Sequence, residues 1–170
     1  MLNKFALAYL YFRSRGYGHD VAEWLIKQSK LEAGPDWDSR AAREDLNVWG
    51  MGKVYTRPTT QISARDAEDG SGQNTIARYR TVLDSHRDRV LFDDWHLRNV
   101  PGSTKRKVKR SLPDYLEYMR TTAYNTKPTY YQTVNRVQWS ADTLRLLVSV
   151  AVVGVTATVL YILWKKRFKK

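Results

Sequence analysis

Nineteen consecutive residues, Leu146 to Trp164, carry no charge, and they run from Arg145 into a tail of Lys165, Lys166, Arg167, Phe168, Lys169 and Lys170. As an α-helix rising about 1.5 Å per residue this stretch would reach roughly 28 Å, against a bilayer hydrocarbon core of about 30 Å. Its eleven Leu, Ile and Val residues, each worth about −0.3 to −0.6 kcal/mol on an insertion scale, supply roughly −3 to −7 kcal/mol before polar costs. Ser149, Thr156 and Thr158 offset only part of that, because helical hydroxyls can bond carbonyls of the preceding turn. The pattern predicts a C-terminal transmembrane helix within residues 140–168, followed by a short tail at 169–170. Trp139, Arg145, Trp164, Lys165, Lys166, Arg167, Lys169 and Lys170 are then expected at lipid headgroups, with an anionic phospholipid, cardiolipin above all, as their partner. Ala151, Gly154, Ala157 and Thr158 would form a small-residue face toward a neighbouring helix.

Basic residues outnumber acidic ones, 29 to 17, and there is no cysteine. The missing thiols exclude disulfides, thiolate nucleophiles, iron–sulfur ligation and Cys-type zinc sites. Outside the apolar stretch Leu, Ile and Val are sparse, whereas Tyr, Trp and Arg are frequent. Such a composition predicts a chain that buries aromatic rings against partners. No independent large core is expected.

Residues 1–19 contain Lys4, Arg13 and Arg15 and no acid, with Leu2, Phe5, Ala6, Tyr9 and Leu10 on one helical face. The segment resembles an uncleaved amphipathic mitochondrial targeting helix. Residues 20–139 read as short helices joined by coil. Asp20 and Glu23 suggest a capping box for a helix to about Leu31, ended by Gly34-Pro35. A helix from Ser39 to Val48 follows, and Gly50 to Gly72 reads as an extended connector lying on a partner. The spacing of Ile76, Tyr79, Leu83, His86 and Val90 predicts the longest extramembrane helix, from about Asn74 to Asp93. Ser111 and Asp114 cap another, and Thr126–Gln138 would extend to the membrane. No strand pair is expected, and the fold class is a mainly α, elongated chain of short helices and extended coil with one transmembrane helix.

Catalytic chemistry finds little support. His86 with Asp84 and Asp88, followed by Asp93, Asp94 and His96, is the best acid–base or metal-ligating candidate, yet Arg87, Arg89 and Arg98 can pair with the same carboxylates. Gly16-Tyr17-Gly18, Gly50-Met51-Gly52-Lys53 and Gly70-Ser71-Gly72 lack the third glycine or the Gly-Lys-Ser/Thr ending of a nucleotide loop. Lys105, Arg106, Lys107, Lys109 and Arg110 form a basic patch, expected to meet lipid or an acidic subunit rather than nucleic acid. No enzyme activity, cofactor, metal or small-molecule substrate is expected. The reading is a single-pass accessory subunit of a large mitochondrial inner-membrane complex, such as a respiratory-chain or ATP synthase assembly, whose partners are the other subunits. The alternative is a tail-anchored adaptor of the outer mitochondrial membrane.

Overall fold

Phe5, Ala8, Tyr9 and Phe12 recur at three- and four-residue spacing, which sets them on one side of a helix. In the computed structural model, which describes residues 3–66, 75–122 and 129–139, they are the buried side of α1, Lys4–Ser14. Asn3 caps it, its side chain accepting the Ala6 N–H at 2.8 Å. The chain turns through Gly16, in the left-handed region at φ +86°, into α2, His19–Ala33. That helix ends at Gly34, φ +88°, a conformation that side-chain-bearing residues resist.

Five more helices follow among the described residues: α3, Arg40–Glu44; α4, Val82–His96; α5, Gly102–Arg110; α6, Leu112–Thr121; and α7, Tyr130–Arg136. Between α3 and α4 lie β1, Ser63–Asp66, and β2, Thr75–Arg78, paired antiparallel with Ser63 opposite Arg78 and Asp66 opposite Thr75. The centre of the arrangement is α2, which packs against α1, α3, α5, α6 and α7. Val21, Leu25, Ile26 and Gln28 of α2 are fully enclosed. Around them stand the rings of Phe12, Tyr17, Trp24, Trp49, Tyr115 and Tyr131, many in edge-to-face contact at centroid distances such as 5.7 Å for Phe12–Tyr17 and 5.6 Å for Phe12–Trp49.

Several expectations are corrected here. The aromatic residues do not wait for partners: residues of the unit Met1–Trp139 bury them against one another, so this part of the chain has its own core. The basic start packs in the folded chain, with Phe5, Ala6, Ala8, Tyr9 and Phe12 all buried in that core. The expected connector lies on the protein itself: the Met51 carbonyl accepts the Ala77 N–H at 2.9 Å, and the Lys53 N–H reaches Thr75 Oγ1 at 2.9 Å. The helix expected from Asn74 starts only after Thr81, whose hydroxyl accepts the Asp84 N–H. Asp20 sits in the first turn of α2 without capping it, while Ser39 and Ser111 do cap their helices.

The membrane part of the fold class and the membrane location are also withdrawn. Among the described residues no helix is long and apolar enough to cross a membrane. The expected span, with Ala151, Gly154, Ala157, Thr158, Arg145, Trp164 and the tail Lys165, Lys166, Arg167, Lys169 and Lys170, lies outside the described residues. Trp139, expected at a headgroup, is half-buried with its ring 5.9 Å from that of Tyr9. The segment expected to run to a membrane surface instead forms α7, which packs on α2: Tyr131 stacks on Trp24 and Tyr130 accepts from Gln28.

One close approach fixes how the α1–α2 turn meets α5. The Gly18 N–H donates to the Lys109 carbonyl at 2.8 Å, and a β-carbon on Gly18 would lie 2.2 Å from the Arg110 carbonyl oxygen. Since backbone blocks that space, Gly18→Ala is expected to cost about 1–3 kcal/mol through forced displacement, read as a lowered urea midpoint with an unchanged m-value.

Candidate partner-binding surface

The acid–base candidates of α4 are all engaged in holding the fold. His86 is 3% exposed, ringed by Tyr11, Phe12, Trp37 and Trp49. Its Nδ1 accepts the Trp49 indole N–H at 3.1 Å. Burial in this aromatic shell depresses its pKa to about 3, so the ring is neutral. Asp88 accepts from Arg57 at 2.7 Å, Tyr79 at 2.7 Å and Gln61 at 3.1 Å. Burial alone would raise its carboxyl, but these donors and the Arg57 charge outweigh burial and hold it below the ordinary range. Asp84 bonds Thr81 and Arg87, and His96 bonds the Phe92 carbonyl of its own helix. No group of three or more His, Asp or Glu residues able to hold a metal lies among the described residues.

Asp93 collects donors from four residues, and sequence reasoning did not foresee its role. It receives Arg89 at 2.6 Å, Tyr17 at 2.6 Å, Tyr115 at 2.8 Å and Tyr118 at 3.2 Å. Burial, and then the neighbouring Asp93 charge, push the phenols of Tyr17 and Tyr118 far above their usual value; for Tyr115 the Arg89 charge partly opposes the rise. All three stay protonated and donate. The i, i+4 spacing of Arg89 and Asp93 was the available signal, but it marks exposed pairs as readily as buried ones.

The basic patch divides on inspection. Lys105 and Lys109 both reach Asp94, at 2.8 and 2.9 Å, and Lys107 reaches Asp114 at 3.0 Å. Burial would raise the Asp94 carboxyl, yet the hydrogen bonds from the two lysines carry it below its ordinary value. Lys109 is also buried over the Tyr17 ring, 4.7 Å from its centroid. Three of the five cations are thus ion-paired within this chain, two of them sharing Asp94. Arg106 and Arg110 remain exposed and form no ion pair among the described residues.

The turn at Gly16-Tyr17-Gly18 adds two more. Through the Gly18–Lys109 hydrogen bond it brings the end of α1, with exposed Arg13 and Arg15, to the end of α5. Arg15 lies 5.3 Å from the Tyr11 ring centroid, and neither arginine pairs with a carboxylate among the described residues. Arg13, Arg15 and Arg110 thus belong to segments, about ninety residues apart, that meet at one joint, while Arg106 reaches back along α5, its Nη1 3.7 Å from where a β-carbon on Gly102 would sit. Cations at helix C-termini also gain about 0.3–1 kcal/mol each from the dipole, a benefit that leaves the guanidinium groups free to bind.

No family model matches this chain, and no curated protein sequence matches it. It is similar to a chain in a solved type VI secretion system effector–immunity complex from Pseudomonas protegens, at 17% identity and a TM-score of 0.46, over 79% of this chain and 92% of that one. Nothing in these comparisons points to a mitochondrial subunit. The readings as an inner-membrane accessory subunit and as an outer-membrane adaptor are both corrected, since no helix among the described residues is long and apolar enough to cross a membrane. They had also rested on a chain without a core of its own, which the packing around α2 removes.

The depressed His86 pKa sets a pH dependence of stability. Below about 6.5 the unfolded imidazole takes a proton that the folded one refuses down to about 3, so stability is full above about 6.5 and falls by up to about 1.4 kcal/mol per pH unit beneath it. Glu32, whose carboxyl burial raises, acts in the opposite direction. Comparing urea midpoints of the wild type and His86→Gln at pH 7 and pH 5 isolates the histidine: the wild type should lose more stability than the variant, which keeps an acceptor for Trp49.

Proposed function

We propose that this chain is a non-catalytic binding protein that engages an acidic partner protein through Arg13, Arg15, Arg106 and Arg110. The observation that carries the reading is the sorting of cations on the segments that meet at Gly18: the lysines of α5 are paired within the chain, and Arg13, Arg15, Arg106 and Arg110 form no ion pair among the described residues. Guanidinium groups present planar forks that match carboxylates two bonds at a time, which favours specific acidic side chains over diffuse charge. The non-catalytic part of the reading is supported by the partners of the acid–base candidates: His86, Asp84, Asp88 and Asp93 bond Trp49, Thr81, Arg57 and Arg89.

A polyglutamate peptide serves as the probe, titrated against the full chain at low and physiological salt. Replacing Arg13, Arg15, Arg106 and Arg110 together by Gln should weaken its binding at least about tenfold, or about 1.4 kcal/mol. The charge-matched control, Arg43, Arg80, Arg87 and Arg136 to Gln, should change it far less. Equal loss in both variants would reduce the surface to general electrostatics. Preference for an RNA oligonucleotide or for anionic vesicles over polyglutamate would overturn the choice of a protein partner.

A further inference from the structure

Helix α1 packs against α4, and a cavity of about 420 Å³ opens between Leu7, Ala8 and Tyr11 of α1 and Val82, Leu83 and His86 of α4. Leu7 is 55% exposed and Leu83 42%, two of the four large apolar side chains left in solvent among the described residues, and both belong to this one opening. Apolar groups gathered in this way mark a surface that gains by being covered.

The polar feature of the cavity is His86. Its Nδ1 accepts the Trp49 indole N–H at 3.1 Å, and a ring nitrogen that accepts carries no proton. Burial keeps the imidazole neutral, so the proton sits on Nε2, which is a donor. Nε2 makes no hydrogen bond to the described residues. It is also not among the described side-chain atoms that are sealed from solvent without a partner. With His86 only 3% exposed, and that ring part of the cavity lining, the free N–H opens onto the cavity. A donor so nearly buried gains most from an acceptor placed against it.

The cations around the opening are already engaged. Lys4, the charged residue of the lining, donates to the Asp36 carbonyl and lies over the rings of Phe5 and Trp37. Arg15 sits 5.3 Å from the Tyr11 centroid, and Arg87 pairs with Asp84 at 3.2 Å. A charged ligand against His86 would lose its hydration with no free opposite charge to receive it. A carbonyl loses only hydrogen bonds, which the Nε2–H replaces.

We propose that this cavity binds a small neutral molecule with an apolar body and a carbonyl acceptor, the acceptor on His86 Nε2–H and the body between Leu7 and Leu83. The volume lies in the range of small-molecule sites, about 300–1,000 Å³. Apolar walls with one placed polar group are also what such sites use to hold and orient a ligand.

The probes are acetophenone and α-methylstyrene, the same shape with a methylene in place of the carbonyl oxygen, titrated into the isotope-labelled full chain and followed by the imidazole resonances of His86. Before any addition, Nε2 should be protonated and Nδ1 not. Acetophenone should move the Nε2–H proton downfield in a saturable manner, and α-methylstyrene should move it far less. Because the two probes differ in hydrophobicity, their affinity ratio is compared between proteins: His86→Phe should shift it against acetophenone at least about tenfold, or about 1.4 kcal/mol. Leu83→Asp, at an exposed position, should weaken both probes at least about fivefold. If a circular dichroism melt shows that His86→Phe does not fold, the wild-type Nε2–H shift and Leu83→Asp decide the matter. A proton on Nδ1, no saturable shift with acetophenone, or an unchanged ratio in folded His86→Phe would overturn the proposal. Tighter binding of benzoate than of acetophenone would overturn the choice of a neutral ligand. Movement of the Nε2–H resonance on dilution without a probe would make a second copy of the chain the occupant, and overturn the choice of a small molecule.

Discussion

The Arg89–Asp93 ion pair, 0% exposed on both sides, is the interaction on which the other contacts depend. Removing two charges from water costs several kcal/mol per ion, and mutual attraction repays this only when the remaining donors and acceptors are also used. Here they are. Asp93 takes hydroxyls from the α1–α2 turn at Tyr17 and from α6 at Tyr115 and Tyr118. Arg89 donates onward to Tyr115 at 2.6 Å, and its guanidinium lies 5.0 Å from the Phe92 centroid and 5.8 Å from that of Trp49. One carboxylate therefore ties α4 to two other parts of the chain.

The same device recurs at lower burial. Asp88 holds the Arg57 segment and Tyr79, and Asp45 receives Arg65 of β1 at 2.7 Å and Arg78 of β2 at 3.1 Å. The short hairpin, whose strands alternate few apolar residues, is thereby fastened from the side by charge. A chain poor in aliphatic residues builds its interior from rings, with carboxylates collecting their hydroxyls. Tyr and Trp bury large areas but each brings a polar atom that must be satisfied, and Asp supplies the acceptors.

Helices with a clear apolar period were legible beforehand: α1 from Phe5 and Tyr9, α2 from Val21, Trp24 and Leu25, and α6 from its Ser111 cap. The hairpin was hidden because Ser63-Ala64-Arg65-Asp66 has no apolar alternation and owes its place to Asp45, distant in sequence. The core was misjudged for a related reason. Counting aliphatic residues misses a core of aromatic rings and buried ion pairs, so a self-contained unit read as one needing partners. Of the candidate surface, Arg106 and Arg110 were visible in the basic run, and Arg13 and Arg15 in the basic start. The meeting of the two segments at Gly18 was not, because only the tertiary contact with Lys109 and Arg110 joins them.

The most direct measurement is a double-mutant cycle on the buried pair in the full chain, using Arg89→Met, Asp93→Leu and the two together, followed by urea unfolding and near-ultraviolet circular dichroism. Each single change strands a buried charge or its tyrosine partners and should cost about 3–5 kcal/mol, with a coupling energy of at least about 1 kcal/mol between them. Additive losses below about 1 kcal/mol each, with the aromatic signal intact, would contradict a fold organised around Arg89 and Asp93.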